Sequence, residues 1–291
     1  MTGGKPHEAG VDGAGGATWR TTLGGAHSPI DLRTDQPHSA RMYDYYLGGK
    51  DNFPADREAA EQALAAFPNA RVASHANRAF MVRTTRHLAG EAGVRQFLDI
   101  GTGIPTSPNL HEVAQSVAPD ARVVYADNDP IVLTHARALL TSTPQGTTTY
   151  LDVDLHDPES ILAAPELRTA LDLTRPVALS LIAIMHFIPD ADDPRGLLGR
   201  LLRELPSGSY LTLTHATADH DEGMERLAAA YRAGGIPAQA RTRAEVARFF
   251  DGLELLDPGL QIVHRWRPDG AAPTDLTDAQ VSFYGAVGRK P

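Results

Sequence analysis

Two hydrophobic rhythms alternate through the middle of the chain. Short apolar runs stand at 94–100, 122–126, 148–153, 177–183 and 210–214. Each is rich in β-branched, leucine or aromatic residues and is of strand length. Between or after them come stretches with a helical period. After Pro130, residues Val132, Ala136, Leu139 and Leu140 share one face at the i, i+4, i+7, i+8 spacing of a helix covering a sheet. Four such stretches open with the same punctuation: Ser107-Pro108, Asp129-Pro130, Asp157-Pro158 and Asp193-Pro194. A capping side chain followed by proline at the first helical position is a helix start. Strand and helix alternating at this interval predict a parallel sheet with right-handed crossovers.

The flanks read differently. Residues 1–38 lack apolar periodicity, and eight of the first 25 are glycine, so a disordered leader is expected. Its histidines, His7, His27 and His38, have no metal-ligand spacing. In Arg41–Phe53, Met42, Tyr43, Tyr46 and Leu47 share a helical face, and Gly48-Gly49 ends that helix before a compact polar turn. Further helices are expected over 56–67, ended by Pro68, and over 74–93, with Ser74 as cap and Gly93 as stop. Residues 39–93 thus form an N-terminal helical lid ahead of a main domain at 94–291. In the C-terminal third, 221–233 and 243–251 read as helices, and 253–256, 261–266 and 281–287 as strands. The last two lack a covering helix between them, which predicts an antiparallel edge pair.

Composition narrows the chemistry. The chain has 291 residues and is 42% hydrophobic, enough for one large α/β domain with additions. It has no cysteine, which excludes disulfides, thiolate metal sites and cysteine nucleophiles. The longest apolar run, Val177–Met185, is broken by Ser180 and too short to span a membrane. No charged segment followed by an apolar one opens the chain, so a cytoplasmic protein is expected. A net charge of −9 argues against a sequence-independent grip on nucleic acid.

The first strand, in Gln96–Thr106, runs into Gly101-Thr102-Gly103. A strand, a glycine turn and a helix form the first unit of a nucleotide-binding sheet. The dinucleotide fingerprint requires glycine three residues after the second glycine, where Thr106 stands. That favours a ligand without phosphates, S-adenosylmethionine, over NAD or NADP. Ligands of such sheets bind beyond the carboxyl ends of the strands. There the second strand offers Asp127, twenty-four residues after Gly103, near the spacing at which an acid meets ribose hydroxyls. Because Asp129 is positioned as the helix cap, Asp127 is left for a ligand, with Asn128 beside it. The third strand ends with Asp154, suited to an adenine amino group, and Leu155, suited to its ring. The fourth ends near Ala183 and His186, and the fifth near His215. Arg78 is a candidate for a ligand carboxylate, and Tyr43, Lys50 and Asn52 for contacts from the lid. His186, His215 or Tyr43 would serve if the acceptor must lose a proton.

The stretches FLDIGTGIPT, VVYADNDPIVL, YLDVDLHDPESIL and MHFIPD resemble the successive motifs of Class I S-adenosylmethionine-dependent methyltransferases. More narrowly, RMYDYYLGGKDNFPADREA, Asn77-Arg78-Ala79-Phe80 and FFDGLELLDPGL…RWRPD resemble an actinobacterial S-adenosyl methyltransferase family long catalogued as a domain of unknown function. The resemblance covers about residues 39–290. It implies a Rossmann-like, doubly wound, seven-stranded sheet with its last strand antiparallel, and S-adenosylmethionine as cofactor. On the matching motifs, Gly101 and Gly103 would face the methionine part, Asp127 the ribose, and Asp154 with Leu155 the adenine. The Asn/Asp-Pro-Pro-Tyr/Trp motif of amino-group methylation is absent after the fourth strand, where Ile182–Met185 stands. The expected activity is methyl transfer to a small molecule. The competing readings are a non-catalytic cofactor-binding or regulatory protein and a dinucleotide-dependent oxidoreductase.

Overall fold

The apolar runs pair as expected into a largely parallel sheet, preceded by three helices, α1 (Ser39–Tyr46), α2 (Pro54–Ala66) and α3 (Ala70–Gly90). The computed structural model describes Met1, residues 33–132, Thr134, residues 141–270 and residues 275–291. Residues 2–32 of the expected leader, with His7 and His27, lie outside the described residues. So do Ala136, Leu139 and Leu140 of the covering helix after Pro130.

Strands β1 (Gln96–Ile100), β2 (Arg122–Asp127), β3 (Thr147–Asp152), β4 (Ala178–Leu181) and β5 (Tyr210–Ala216) run parallel to one another. Their order across the sheet is β3-β2-β1-β4-β5. The chain therefore leaves β1 in one direction and later returns to β4 on its other side. That reversal opens a crevice at the carboxyl ends of β1 and β4, where ligands of doubly wound sheets bind. All five residues of β1 are buried, as befits a strand covered on both faces.

Beyond β5 comes β8 (Phe283–Arg289), antiparallel to it from Tyr210↔Arg289 to Ala216↔Phe283. The outer edge of β8 carries two short pieces, β6 (Glu254–Leu255) and β7 (Gln261–Ile262), both antiparallel to it. They are one edge strand interrupted around Asp257-Pro258; proline cannot donate to a ladder and is tolerated at an edge. The expected seven strand positions are thus filled, one of them in two pieces.

Several predicted boundaries move, each for a local reason. Ser107 is not the cap of the helix after β1. That helix, α4, is Leu110–Val117 with Asn109 before it, and Glu112 accepts both the Asn109 N–H (2.6 Å) and the Ser107 hydroxyl (2.9 Å). A capping box has displaced the proline start. Ser74 is interior to α3, its hydroxyl donating to the Ala70 carbonyl. The expected strand over 261–266 stops at Ile262, because Arg83 of α3 draws the carbonyls of Val263 and Trp266 towards itself (2.6 and 3.0 Å). The strand expected from 281 begins at Phe283, after a helical turn, Asp278–Val281, capped by Thr277. By contrast, Asp157 and Asp193 cap their helices as expected, accepting from the N–H of Ser160 and Gly196.

The N-terminal helices share the core of the sheet. Met42, Phe67, Phe80 and Leu88 are buried in the same apolar cluster as Phe97, Leu98, Leu179 and Leu211. No helix among the described residues is long and apolar enough to cross a membrane.

Candidate cofactor site and acceptor pocket

The turn after β1 is left-handed at both glycines, with φ +73° at Gly101 and +68° at Gly103. An L-residue pays strain in that region, and glycine does not. At Gly101 a Cβ would also stand 2.7 Å from the Ile184 side chain, so the turn is packed against the loop after β4. At Gly103 a Cβ would make only an ordinary contact with Ala40, at 3.9 Å, so the left-handed φ and not crowding is what calls for glycine there. The Thr102 hydroxyl donates to the Asp99 carbonyl and closes the turn.

Asp127, at the end of β2, braces this turn. One carboxylate oxygen accepts the Gly103 N–H and the other the Asp129 N–H, each at 2.9 Å. Burial raises its pKa, and the two backbone donors oppose that. Each oxygen keeps a lone pair for a further donor, which suits a vicinal diol. Asp129 in turn accepts the Ile131 N–H, as a capping residue should. Asp99, in β1, is pushed up to about 6 by burial, against the pull of the Arg78 cation.

At the end of β3, Asp154 accepts from the Asn128 amide (3.0 Å), the His156 N–H (2.9 Å) and the His156 ring (2.7 Å). Partial burial pushes its pKa up, but these hydrogen bonds outweigh it and hold the carboxylate below its usual value. Leu155 beside it is buried. Ala183, past the end of β4, has φ +55° and donates its N–H to the Thr214 hydroxyl. Such a conformation is uncommon for a residue with a Cβ and is found at functional turns. Arg78, on α3, donates to the carbonyls of Thr106 and Pro108, the latter at 2.7 Å, and so pins the loop that follows the glycine turn.

The N-terminal segment lies against this turn. Ala40 and Phe53 pack on Ile104, Ile131 and Val132. His38 pairs with Asp129 (3.1 Å), and buried Arg41 with buried Asp56 (3.3 Å). Asp56 also accepts the N–H groups of His38 and Phe53, closing the segment on itself. Tyr43 donates to the Ser74 carbonyl and accepts from Asn77, which occupies its hydroxyl; burial raises its pKa. Asn52 is buried, with its amide nitrogen on Asp44 and Gly49 and its oxygen accepting from Arg57, so it shapes the turn. Lys50 is exposed. Neither lines the pocket that the segment encloses.

That pocket, about 570 Å³ of empty space including its open mouth, is walled by Tyr43, Phe187, Met224, Leu227, Tyr231 and Phe283, among others. His186 completes the wall from the turn after β4. Its ring packs against Phe187, His215 and Phe283, and its Nδ1 is buried with no hydrogen-bond partner among the described residues. Burial, aided by His215 and Arg241, holds it well below the ordinary histidine pKa, so it is neutral. His215 differs. Its Nδ1 meets the Ala216 carbonyl and its Nε2 the Arg241 guanidinium, both at 2.8 Å. A carbonyl accepts and a guanidinium donates, so His215 is the neutral Nδ1–H tautomer with both nitrogens engaged. Burial pushes its pKa down to about 3.

Two participants escape the sequence reading. Asp99 is the acid just before the glycine turn, and its strand position alone marks it. Arg241 has no motif at all, yet it donates to the carbonyls of Met185 and Ile188, to His215 and to Asp190. It thereby fixes the turn that carries His186.

A doubly wound sheet with an antiparallel last strand, a left-handed glycine turn after β1 and a braced acid after β2 define a Class I S-adenosylmethionine-binding domain. The comparisons agree. The model of the S-adenosyl methyltransferase family matches residues 25–291, and the chain belongs to that family. Its cofactor is S-adenosylmethionine. The chain is 56% identical to a DUF574 family protein from Streptomyces avermitilis, over 90% of this chain and all of that one, with a TM-score of 0.88. It is 41% identical to a candidate methyltransferase from Thermobifida fusca, over 91% of this chain and 99% of that one, with a TM-score of 0.83. An O-methyltransferase family protein from Burkholderia thailandensis shares the fold at 14% identity and a TM-score of 0.50, over 89% of this chain and 65% of that one. No curated protein matches.

Proposed function

We propose that the protein transfers a methyl group from S-adenosylmethionine to a small-molecule acceptor held beneath its N-terminal helices. The observation that carries this reading is the buried Asp127 carboxylate, fixed by the Gly103 and Asp129 N–H groups with lone pairs to spare at the mouth of the crevice. In this reading Asp127 holds the ribose hydroxyls. Gly101, Thr102, Gly103 and Ala183 shape the backbone around the methionine part, and Asp154, Asn128 and Leu155 meet the adenine. The cofactor supplies an already activated methyl group, so the protein's task is to align an acceptor and exclude water. Arg78 acts by holding the loop at 106–108. Residues 39–93 serve as the lid, since Ala40, Phe53 and His38 contact the glycine loop and the Asp129 helix start. A pocket of this size with largely apolar walls supports a small acceptor over a polymer.

Calorimetry with S-adenosylhomocysteine and with NAD tests the reading. Tight binding of the first and at least tenfold weaker binding of the second are expected; the reverse would overturn it. The lid is tested by hydrogen exchange. Protection at 41–53 should rise with S-adenosylhomocysteine alongside that at 101–103, and unchanged protection there would reduce the segment to a packing helix.

A further inference from the structure

Most polar groups in the pocket wall are already used. The Tyr43 hydroxyl is held by Ser74 and Asn77, the Gln239 side chain by Asp190, and the Ser74 hydroxyl by its own helix. The described lining contains no Asp, Glu, Lys or Arg. A charged acceptor would enter such a wall with no counter-charge, at a large desolvation cost. Aromatic rings supply much of the surface: Phe187, Tyr231 and Phe283 all line it, with the Phe187 and Tyr231 centroids 5.5 Å apart. Such walls favour a flat, polarisable guest.

His186 is the exception to the saturation. It is nine-tenths buried, it lines the cavity, and its Nδ1 has no partner among the described residues. Nδ1 is enclosed, so the nitrogen left to a guest in the cavity is Nε2, which has no hydrogen-bond partner among the described residues; a guest hydroxyl that pairs with it keeps its hydrogen bond on entering an otherwise apolar wall. The charged and titratable neighbours facing it are Arg241 and His215, both committed to each other and to backbone carbonyls. The neutral imidazole can therefore accept a hydrogen bond. Tyr46 adds a second polar contact: its hydroxyl accepts from Tyr231, and its own proton remains to donate.

We infer that the acceptor is an uncharged, largely apolar aromatic alcohol, its ring system lying against Phe187, Tyr231 and Phe283 and its hydroxyl donating to the His186 imidazole. This rests on the methyltransferase reading for the word acceptor; the pocket's preference for the ligand class stands on the pocket alone.

The test uses the full chain and three probes of one shape: 2-naphthol, 2-methoxynaphthalene and 2-naphthoate. Each is titrated calorimetrically with and without saturating S-adenosylhomocysteine. Saturable binding of 2-naphthol is expected, with 2-methoxynaphthalene several-fold weaker and 2-naphthoate at least tenfold weaker. The His186 ring resonances should shift on adding 2-naphthol. His186→Phe should erase the difference between naphthol and its methyl ether, whereas His186→Gln, which keeps an acceptor, should retain part of it. Leu227→Trp, which fills the pocket, should abolish naphthol binding and leave S-adenosylhomocysteine binding intact. Equal or tighter binding of naphthoate, no saturable naphthol binding under either condition, or naphthol binding untouched by Leu227→Trp would overturn the inference. Failure of S-adenosylhomocysteine to bind would instead overturn the cofactor reading, and the naphthol titration without it would still report on the pocket.

Discussion

The proposed cofactor cradle and the neighbouring pocket solve opposite problems with the same chain. In the cradle, polar groups are many and are prepared by short-range backbone bonds. Asp127 takes the N–H of Asp129 two residues on, and Asp154 that of His156 two residues on. In the pocket, polar groups are few, and the walls come from distant parts of the chain. Tyr46 of α1 meets Tyr231, 185 residues later, and both line the pocket. A cradle of local turns presents the same donors and acceptors whatever the acceptor is. A pocket assembled by packing changes with every substitution in its helices, so one cofactor can serve different acceptors.

The largest effect should come from the clamp between the two regions. Arg41 and Asp56 are both almost fully buried, 3.3 Å apart, with Asp129 a further 0.4 Å out from the same guanidinium nitrogen, at 3.7 Å. Arg41→Ala leaves buried carboxylates without their cation, which typically costs about 3–5 kcal/mol. Thermal unfolding should show a large fall in Tm. A loss under about 1 kcal/mol, the size of a surface pair, would mean that the segment does not depend on this clamp.

Next is the cradle itself. Asp127→Ala orphans the Gly103 and Asp129 N–H groups and removes the carboxylate proposed for the ribose. At about 1.5–3 kcal/mol per charge-assisted bond, the Kd for S-adenosylhomocysteine should rise by roughly tenfold or more. Asp129→Ala should act on the melting temperature, since it loses a cap worth about 1 kcal/mol together with the His38 contact. The reverse pattern in calorimetry and melting would show that the ribose ligand has been misassigned.

Why one region was readable and the other was not follows from the same contrast. The glycine turn, Asp127 and Asp154 sit at strand ends at fixed chain distances, so hydrophobic period and spacing suffice to find them. The central parallel strands β1, β2 and β4 were legible because they are buried on both faces and read as apolar runs, and the partly exposed β3 by its run of strand-prone threonines and tyrosine. Arg241 was not legible: nothing in its neighbourhood says that it will reach back 56 residues to Met185. His186 and His215 looked equivalent as strand-end histidines. Their difference, one saturated by Arg241 and one with an unpaired nitrogen, exists only once helix, turn and strand have packed. Ser107 misled because its proline pattern competes with the Asn109–Glu112 capping box, and both fit the same few residues.

A third prediction uses pH to separate ligand binding from stability within the cradle. The Asp99 carboxyl lies at about 6 in the folded protein because burial disfavours its charge. A raised acid is held protonated more tightly by the folded state than by the unfolded one. Its destabilising effect is therefore full above pH 6 and fades as pH falls from 6 towards 4. Asp99→Asn should stabilise the protein without ligand at pH 7.5 by up to about 3 kcal/mol, from roughly two pKa units at 1.36 kcal/mol each. The gain should vanish by pH 4. Urea unfolding of both proteins at several pH values checks this, and a gain independent of pH would assign it to packing instead.

The smallest effect is expected at the outer end of the cradle. The Asp154 side chain is 46% exposed, so a bond it makes to adenine competes with water and is screened. It is also held by Asn128 on Oδ2 and by the backbone and ring of His156 on Oδ1, which leaves a lone pair on Oδ2 for a ligand amino group. Removing it should weaken S-adenosylhomocysteine by only about 0.5–1.5 kcal/mol, the net worth of an ordinary hydrogen bond. Affinity alone would not identify the role, because loss of the His156 contact could loosen the loop by a similar amount. Base discrimination does identify it. An analogue with hypoxanthine in place of adenine presents a carbonyl where adenine presents an amino group, and two acceptors would then face each other. The unsubstituted protein should therefore prefer adenine, and Asp154→Ala should narrow that preference while moving the adenine Kd little. If the preference survives the substitution, the adenine amino group is read elsewhere, and Asp154 is left with the task of ordering the β3 loop.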